Sequence, residues 1–311
     1  MIENLFIIGN GFDLGHKMNT SYKQFKNWLV SQFPEAADTA SFYLSEAQIM
    51  PDGEEYICDE DLASFLIYCI DETTGGNWAD FESALGKIEW EYFFDELEDI
   101  KDRDGDINLW KTAYAREDLT RTLSVNSGAF SQFFSKWIST IRYPDSIVKN
   151  PFFTSAIKDT SFFLTFNYTK TLEDVYLISE NQICHIHGVQ GEKIIFGHGN
   201  RHDQDESKYD FGMEGIDDVH EALRKPTEKV IRETDVFDKL KSFAIKNIKN
   251  IYSWGFSFSK VDQCYLEEIC KNLDTKLITW YIHDHSKDKF GKFAKILCAC
   301  GFKGRVKLFR A

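Results

Sequence analysis

The fold of this chain is decided near its start, by the stretch NLFIIGNGFD at residues 4–13. The apolar run 5–8 is too short for a helix and ends in two glycines that flank an asparagine, which predicts a buried strand and a tight turn. Such glycines permit positive φ and let a phosphate-bearing ligand approach the backbone, or they form a plain strand-to-helix corner. Gly9, Gly11 and Gly15 lack the GxGxxG spacing, and no second strand ends in an acidic residue about 20 positions later, so the dinucleotide fingerprint is only partly matched.

Beyond the opening strand, the sequence changes from a helical pattern to short apolar runs. Residues 35 to about 143 carry aromatic stripes at helical spacing, which are typical of core packing. The later strand candidates are 161–166, 182–187, 193–196, 249–254, 276–283 and 305–309. We interpret 182–187 and 193–196 as paired strands. Helical stretches lie between most of the other runs, at about 169–179, 228–247, 259–272 and 286–299.

This order of elements predicts an α/β fold. Strands that alternate with helices imply a Rossmann-like, mostly parallel sheet with right-handed crossovers. Because the first strand precedes the helical block and most of the sheet follows it, the block is interpreted as a large all-helical insertion after the first strand. We therefore expect a Rossmann-like, sirtuin-type core at 1–34 and 151–311 and a helical insertion subdomain at 35–150. The polar segment 200–217 suggests a loop over a site.

The composition restricts the partners of the protein. A formal net charge of −14 over 311 residues argues against a surface that coats nucleic acid, which needs clustered Lys and Arg. The seven cysteines form no CxxC pair and are interpreted as reduced, buried thiols. Neither a signal peptide nor an apolar run of 18 residues is visible, so we expect a cytoplasmic protein with no membrane partner.

Polar residues and glycines follow several of the predicted strands, at the positions where parallel α/β sheets bind ligands. Their convergence on one edge of the sheet predicts a site, although no single member identifies one. Asn167 is also explained as a turn residue or helix N-cap. His187 is also explained as a backbone-bonded histidine, but its side chain suits general base work near neutral pH. The set comprises Gly9, Asn10, Gly11, Phe12, Asp13, Thr165, Asn167, Tyr168, Thr169, His185, His187, Gly188, Gly197, His198, Gly199, Asn200, Gly255, Ser257 and Asp262.

Two further groups have alternative interpretations. His185, His187, His198 and His202 lie within 18 residues, which raises metal binding as an alternative, but their spacing matches no zinc motif and we expect no metal. The pair Asp80 and Glu82 opens a predicted helix, where negative charge is favourable by the helix dipole alone. The alternative is that this helix brings a carboxylate from the insertion into the site.

Five short motifs, taken together, resemble the bacteriophage abortive-infection AbiH family. They are GNGFD at 9–13, WADFE at 78–82, TFNYT at 165–169, HIHG at 185–188 and GFS at 255–257. The resemblance runs from the N-terminus to about residue 265 and implies a role in bacterial defence, without fixing a reaction. The same order of motifs is more distantly similar to sirtuin-type NAD-binding domains.

The sirtuin similarity implies where the parts of a bound NAD would lie. It implies Gly9 and Gly11 at the pyrophosphate, Asn167 and His187 at the nicotinamide ribose, and Gly255 and Ser257 at the adenosine half. Asn10 replaces the small residue usual between the two glycines, so Asn10 or Asp13 would contact a ligand directly. The four-cysteine zinc module of deacetylating sirtuins is absent, which makes NAD cleavage the more natural activity.

We therefore expect an anti-phage protein that hydrolyses NAD, or a related nucleotide, at the nicotinamide–ribose bond. His187 would take a proton, Asn167 would orient water and ribose, and Asp13, Asp80 or Glu82 would stabilise the developing positive charge. The expected partners are a nucleotide, a phage-derived trigger and further copies of the chain, but neither a membrane nor nucleic acid. The alternatives are a non-catalytic nucleotide-binding sensor or interaction protein, and a metal-dependent nuclease that uses the His185–His202 cluster.

Overall fold

Two compact units make up the chain, and each combines segments that are distant in sequence. The computed structural model describes residues 2–37, 44, 48–49, 55–95, 97, 99–199, 216–234, 237 and 248–310. The sheet unit comprises Met1–Ser21, Ile138–Ile195 and Pro226–Ala311, and the helical unit comprises Tyr22–Trp137 and Phe196–Lys225. The domain boundaries expected from the sequence, at residues 34 and 150, stay a prediction.

The sheet unit contains a six-stranded, all-parallel sheet. Its strands are β1 (Asn4–Ile8), β2 (Ser161–Thr165), β3 (Ile183–His185), β4 (Asn250–Trp254), β5 (Thr279–His283) and β6 (Arg305–Phe309). They lie in the order β3-β2-β1-β4-β5-β6. This is the order of the doubly wound Rossmann fold, whose switch point lies between β1 and β4. The predicted fold class is confirmed.

The apolar run of β1 follows from its position at the centre of the sheet. All five of its residues are buried, because the two faces of the strand pack on two different core clusters. Leu5 and Ile7 belong to one core cluster, whereas Phe6 and Ile8 belong to the other. The ring of Phe6 stacks at 4.9 Å on both of its cross-strand neighbours, Phe163 on β2 and Tyr252 on β4.

The helices of the sheet unit are short and connect the strands. They are Gly11–Gly15, Pro151–Ala156, Thr227–Glu233, Gln263–Asn272 and Phe290–Ala299, with a π-helical turn at Thr171–Val175 and 3₁₀ turns at Glu180–Gln182, Lys260–Asp262, Thr275–Leu277 and Asp284–Lys289. The helix expected over 169–179 is therefore only one π-helical turn. Of the helix expected over 228–247, positions 235, 236 and 238–247 lie outside the described residues.

The predicted pairing of 182–187 with 193–196 is wrong. β3 instead pairs parallel with β2, and residues 193–196 form no strand. One hydrogen bond joins the two segments, from Ile195 N to His187 O at 2.8 Å. Gly188 lies between them with φ of +80°, and its backbone packs on the carbonyl of Lys193, so the chain turns too tightly for an extended ladder. The loop expected over 200–217 lies outside the described residues up to position 215, and a helix begins at Ile216.

The helical unit is built around aromatic side chains. Its helices are Tyr22–Gln32, Asp59–Thr74, Phe81–Leu85, Glu91–Asp95, Ile216–Ala222 and most of Leu109–Thr140, with a short antiparallel pairing of Gln48–Ile49 and Glu55–Tyr56. The aromatic residues of the predicted stripes in this unit, Phe65, Phe81, Phe130, Phe133, Phe134 and Trp137, are buried, whereas Tyr92 of the same stripes is exposed. Phe25, for example, contacts Phe81 and Phe134 at ring distances of 5.4 Å each.

Candidate functional site

The glycine turn after β1 packs against the turn after β4, at the switch point of the sheet. Gly9 N donates to Trp254 O at 3.0 Å, and Gly11 N donates to Gly255 O at 2.9 Å. A Cβ on Gly9 would lie 2.6 Å from the Gly255 carbonyl oxygen, and one on Gly255, where φ is +62°, would collide with the Phe12 amide. A close backbone approach therefore accounts for all three glycines. Ligand contact by these residues stays a prediction.

The other two residues of this turn make specific protein contacts. Asn10 Nδ2 donates to Thr20 O at 2.8 Å, which ties the turn to the chain that follows it. The ring of Phe12 is buried and lies 4.7 Å from the ring of Phe153, within the core beneath β1. The turn is therefore rigidly connected to the body of the sheet unit, as a positioning element of a site needs to be.

Asp13 lies at the centre of a buried cluster formed with the segment that follows β2. Its side chain accepts hydrogen bonds from Thr169 Oγ1 at 2.6 Å and from Thr171 Oγ1 at 2.8 Å, and the side chain of Asn167 lies close enough to lower its pKa slightly. The two threonine hydroxyls are themselves 3.0 Å apart. Burial raises the pKa of Asp13, and the hydrogen bonds partly offset this effect. We call Asp13, Asn167, Thr169 and Thr171 the Asp13 cluster.

Asn167 is held through its backbone. Its backbone N–H donates to Thr165 Oγ1 at 3.1 Å, and its carbonyl accepts from His185 Nδ1 at 3.2 Å. Its side-chain oxygen Oδ1 is buried and has no hydrogen-bond partner among the residues that the structure describes. Asn167 is only 5% exposed, and buried acceptors without a donor are rare in folded proteins.

His187 is enclosed by aromatic rings. Its imidazole lies 5.4 Å from the ring of Phe166, 5.5 Å from that of Tyr265 and 6.3 Å from that of Tyr168. Its Nε2 is 3.9 Å from Asp262 Oδ1, which is an electrostatic distance and too long for a hydrogen bond. The side chain is 2% exposed, so the ring is held in one place beside a carboxylate.

Comparison with known proteins identifies the family of the chain. The family model described as bacteriophage abortive infection AbiH matches residues 5–284. The chain belongs to the AbiH family. The match begins in β1 and ends directly after β5, and it includes all five motifs singled out in the sequence. Comparisons with curated proteins and with solved structures gave no match. The predicted AbiH resemblance is thus confirmed, whereas the sirtuin similarity stays a hypothesis.

Two of the predicted catalytic carboxylates belong to the helical unit of this AbiH family member. Asp80 directly precedes the helix Phe81–Leu85 and is exposed. Glu82 lies in the first turn of that helix and pairs with Lys225, whose Nζ is 2.9 Å from Glu82 Oε2 and whose side chain is 1% exposed. Glu82 thus neutralises a buried cation, and for Asp80 and Glu82 a catalytic role stays a prediction.

The histidines proposed as a cluster make separate contacts. His185 Nε2 lies 2.6 Å from Glu173 Oε1 in the sheet unit. His198 belongs to the helical unit, where its Nε2 donates to His220 O at 3.0 Å and burial lowers its pKa to about 4. His202 and Asn200 lie outside the described residues. Within the described part of the chain, no group of three or more His, Cys, Asp or Glu side chains is arranged to hold a metal ion.

Three more of the predicted residues, Tyr168, Gly188 and Asp262, lie beside His187. Tyr168 Oη donates to Ile195 O at 3.2 Å, and Asp262 Oδ2 accepts from Ser259 Oγ at 2.9 Å. Gly188 follows His187 in the left-handed region and forms the tight turn described above. Ser257 is exposed.

Among the described residues no helix is both long and apolar enough to cross a lipid bilayer.

Sequence reasoning missed four side chains that support these clusters: His16, Thr171, Glu173 and Tyr176. The Tyr176 hydroxyl accepts from Asn150 N and contacts His16 Nε2 at 2.6 Å, while His16 Nδ1 donates to Phe12 O at 2.7 Å. His16 lies three positions after Asp13, and Thr171 lies two positions after Thr169. Both could have been added to the predicted site from their spacing in the sequence.

Proposed function

We propose that this AbiH family member hydrolyses NAD, or a related nucleotide, at the bond between nicotinamide and ribose. The observation that carries the proposal is the buried Oδ1 of Asn167, which lacks a donor among the described residues, while both backbone polar groups of Asn167 have partners. A ribose hydroxyl or an attacking water would supply that donor. The family match supports a role in phage abortive infection, and the motif similarity to sirtuins favours NAD.

The proposed reaction needs little acid–base chemistry. As the C1′–N bond breaks, the nicotinamide nitrogen keeps the bonding pair and leaves as a neutral group, and positive charge develops on the ribose. Water adds to C1′ and gives one proton to His187, so the products are nicotinamide, ADP-ribose and a proton. Asn167 Oδ1 would accept a hydrogen bond from the water or from a ribose hydroxyl and thereby hold it in place.

The proposal places the ribose at the carboxyl ends of β2 and β3. Asn167 follows β2 by two residues and His187 follows β3 by two residues, and these strands are neighbours in the sheet. Ligands of parallel α/β sheets bind at this edge. The glycine turn, whose N–H groups at Gly9 and Gly11 donate to protein carbonyls, would then serve mainly to hold the corner beside the ligand.

The test measures nicotinamide release from NAD by the purified protein, with and without a lysate of phage-infected cells. We expect Asn167→Ala to lower kcat by about 10²–10³, by analogy with the loss of one preorganised hydrogen bond, and His187→Ala to do at least as much. Asn181→Ala and His285→Ala change exposed residues of the same types and are expected to keep full activity. NAD in infected cells should fall with the active variants only.

Intact NAD in every triggered wild-type sample would overturn the proposal. Saturable NAD binding without any product would support the non-catalytic nucleotide sensor instead. Equal activity of Asn167→Ala and Asn181→Ala would show that the reaction occurs elsewhere in the chain.

A further inference from the structure

The last part of the chain carries a charge opposite to that of the whole protein. The chain has 36 basic and 50 acidic residues, but positions 286–310 contain eight basic residues and a single acidic one, Asp288. All eight basic residues are exposed. We call them the basic rim: Lys287, Lys289, Lys292, Lys295, Lys303, Arg305, Lys307 and Arg310.

The basic rim follows one edge of the sheet, because β6 is the end strand of the six and its other neighbour is solvent. Arg305 and Lys307 point to the same face of this strand, since side chains alternate along it. Val306, between them, packs on the other face, in the core cluster that includes Phe293 of the helix Phe290–Ala299. The cations of the strand and those of the helix therefore lie on either side of one edge.

Little of this positive charge is neutralised by the protein. Within the described part of the chain, Arg310 is the only cation of the rim whose charged group lies within 4.0 Å of a carboxylate, that of Asp284. The Arg310 side chain is 94% exposed, so solvent screens this pair. The positive potential of the rim therefore extends into solution over about one Debye length, roughly 8–10 Å near physiological salt.

The stability of the fold does not explain where these charges lie. Lys289 is the N-cap of the helix Phe290–Ala299 and Lys292 lies in its first turn, where the helix dipole favours negative charge. This described helix has no acidic residue in its first turn and no basic residue in its last. Charges on an edge strand prevent pairing with other chains, which accounts for Arg305 and Lys307 but not for the lysines of the helix.

The neighbours of the cations indicate the class of anion that would bind. A membrane or a protein partner would need exposed apolar or aromatic side chains, and a nucleic acid single strand would need aromatic rings for base stacking. Within positions 286–310, however, Leu308 is the only large apolar residue that is exposed, and no aromatic residue is. Charge alone suffices for a duplex, whose phosphates face outward.

We propose that the basic rim binds the phosphate backbone of double-stranded nucleic acid, without sequence preference. The rim lies beyond residue 284, where the family match ends. The expectation that nucleic acid is not a partner rests on the net charge, which averages this segment with the acidic remainder of the chain. The proposal is independent of the NAD reaction, because no residue of the rim belongs to the predicted site.

The test measures the binding of the full-length protein to a fluorescein-labelled DNA duplex by fluorescence anisotropy. With a duplex of about 20 bp we expect a Kd of roughly 1–100 μM near physiological salt, the range of non-specific binding. The affinity should fall steeply over a salt series from about 50 to 200 mM, because each phosphate contact releases counterions.

Two double variants each neutralise two exposed lysines of helices. Lys292→Gln, Lys295→Gln acts on the rim, whereas Lys23→Gln, Lys111→Gln acts on the helical unit and is the matched control. Glutamine keeps the helix propensity of lysine. We expect the first variant to weaken binding roughly ten-fold and to reduce the slope of log K against log salt by about 2, and the control to change Kd by less than about two-fold.

A third variant, Arg305→Gln, Lys307→Gln, tests the strand side of the rim and should weaken binding to a similar extent. Absence of duplex binding by the wild type, or equal loss in the rim variants and the control, would overturn the proposal. Tighter binding to the single strand of the same sequence would overturn it too, as would binding to phosphatidylserine vesicles in place of the duplex. Because the duplex assay contains no NAD, its result and that of the nicotinamide assay stand or fall separately.

Discussion

At the scale of the residue, the buried carboxyl of Asp13 links folding to pH. Burial is the largest influence on it and raises its pKa, against the hydrogen bonds from Thr169 and Thr171, the charge of His16 and the nearby side chain of Asn167. The folded protein therefore binds the proton of Asp13 more tightly than the unfolded chain, where the pKa is about 3.9. The stability that this group contributes is complete below that value and is lost as the pH rises through the folded pKa.

We predict a pH-dependent difference in stability between the wild type and Asp13→Asn, which cannot titrate at this position. The free energy of unfolding of the wild type, relative to the variant, should fall as the pH rises from about 4 towards 7. Urea unfolding at a series of pH values measures it, and the other titrating groups cancel in the difference. A relative stability that rises with pH would contradict the prediction.

A comparison of Gly255 with Gly75 separates two costs of replacing a glycine by alanine: the strain of a left-handed backbone and the collision of the new Cβ with its neighbours. Gly255 and Gly75 have nearly the same φ, +62° and +60°, but a Cβ on Gly255 would collide with Phe12 and Gly11, whereas nothing lies within 4 Å of one on Gly75. We predict that Gly75→Ala costs about 1–2 kcal/mol of unfolding free energy, the price of a left-handed alanine. Gly255→Ala should cost at least about 3 kcal/mol, because two backbones must also separate. Equal costs, measured by denaturant unfolding, would show that the turns after β1 and β4 do not pack closely.

At the scale of the element, the helix Phe81–Leu85 is tied to the end of the segment Phe196–Lys225 by one buried ion pair. Lys225 is nearly inaccessible and Glu82 is largely buried, so removal of either leaves a charge with less compensation than it had. A comparable pair on the surface of the same unit, Lys136 with Asp59, is about half exposed on both sides. Solvent screens such a pair, and its contribution is small.

We predict that Lys225→Met destabilises the protein by about 3 kcal/mol, and that the double variant Glu82→Gln, Lys225→Met costs at least about 1 kcal/mol less than the sum of the two single changes. Lys136→Met, the surface control, should cost less than about 1 kcal/mol. Thermal or urea unfolding measures all four. Additive costs in the cycle would mean that Glu82 is not the main partner of Lys225, and would revive its catalytic interpretation.

The elements also show which parts of the fold can be predicted from the sequence and which cannot. β1 and the aromatic stripes were predicted, because burial on both faces or on one helix face leaves a local period in the sequence. The segment 193–196 also contains a run of three apolar residues, 194–196, but it follows the tight turn at Gly188 and forms no strand. The threonine partners of Asp13 lie more than 150 residues away along the chain, and no local pattern encodes a contact of that range. The convergence of polar strand ends indicated the edge of the sheet, and it could not assign a partner to any single side chain.

At the scale of the whole molecule, the chain leaves the sheet unit twice. It leaves after β1, at Ser21, and returns at Ile138, and it leaves again after β3, at Ile195, and returns at Pro226. The long helical block of the sequence, residues 35 to about 143, lies mostly within the first of these departures. The second departure, residues 196–225, contains only short apolar and polar runs, so the sequence shows no comparable pattern there. The sheet unit is therefore assembled from three separate segments.

The central position of β1 has a consequence for the synthesis of the protein. Both partners of this strand are made much later, β2 from Ser161 onward and β4 from Asn250 onward. At roughly 5–20 residues per second, the ribosome needs on the order of 12–50 s to reach Asn250. Until Ser161–Thr165 is made, residues 4–8 have no strand to pair with, and until Asn250–Trp254 is made they have only one. β1 is thus made long before it can complete its native contacts, and a chaperone that covers its apolar residues during synthesis would protect them.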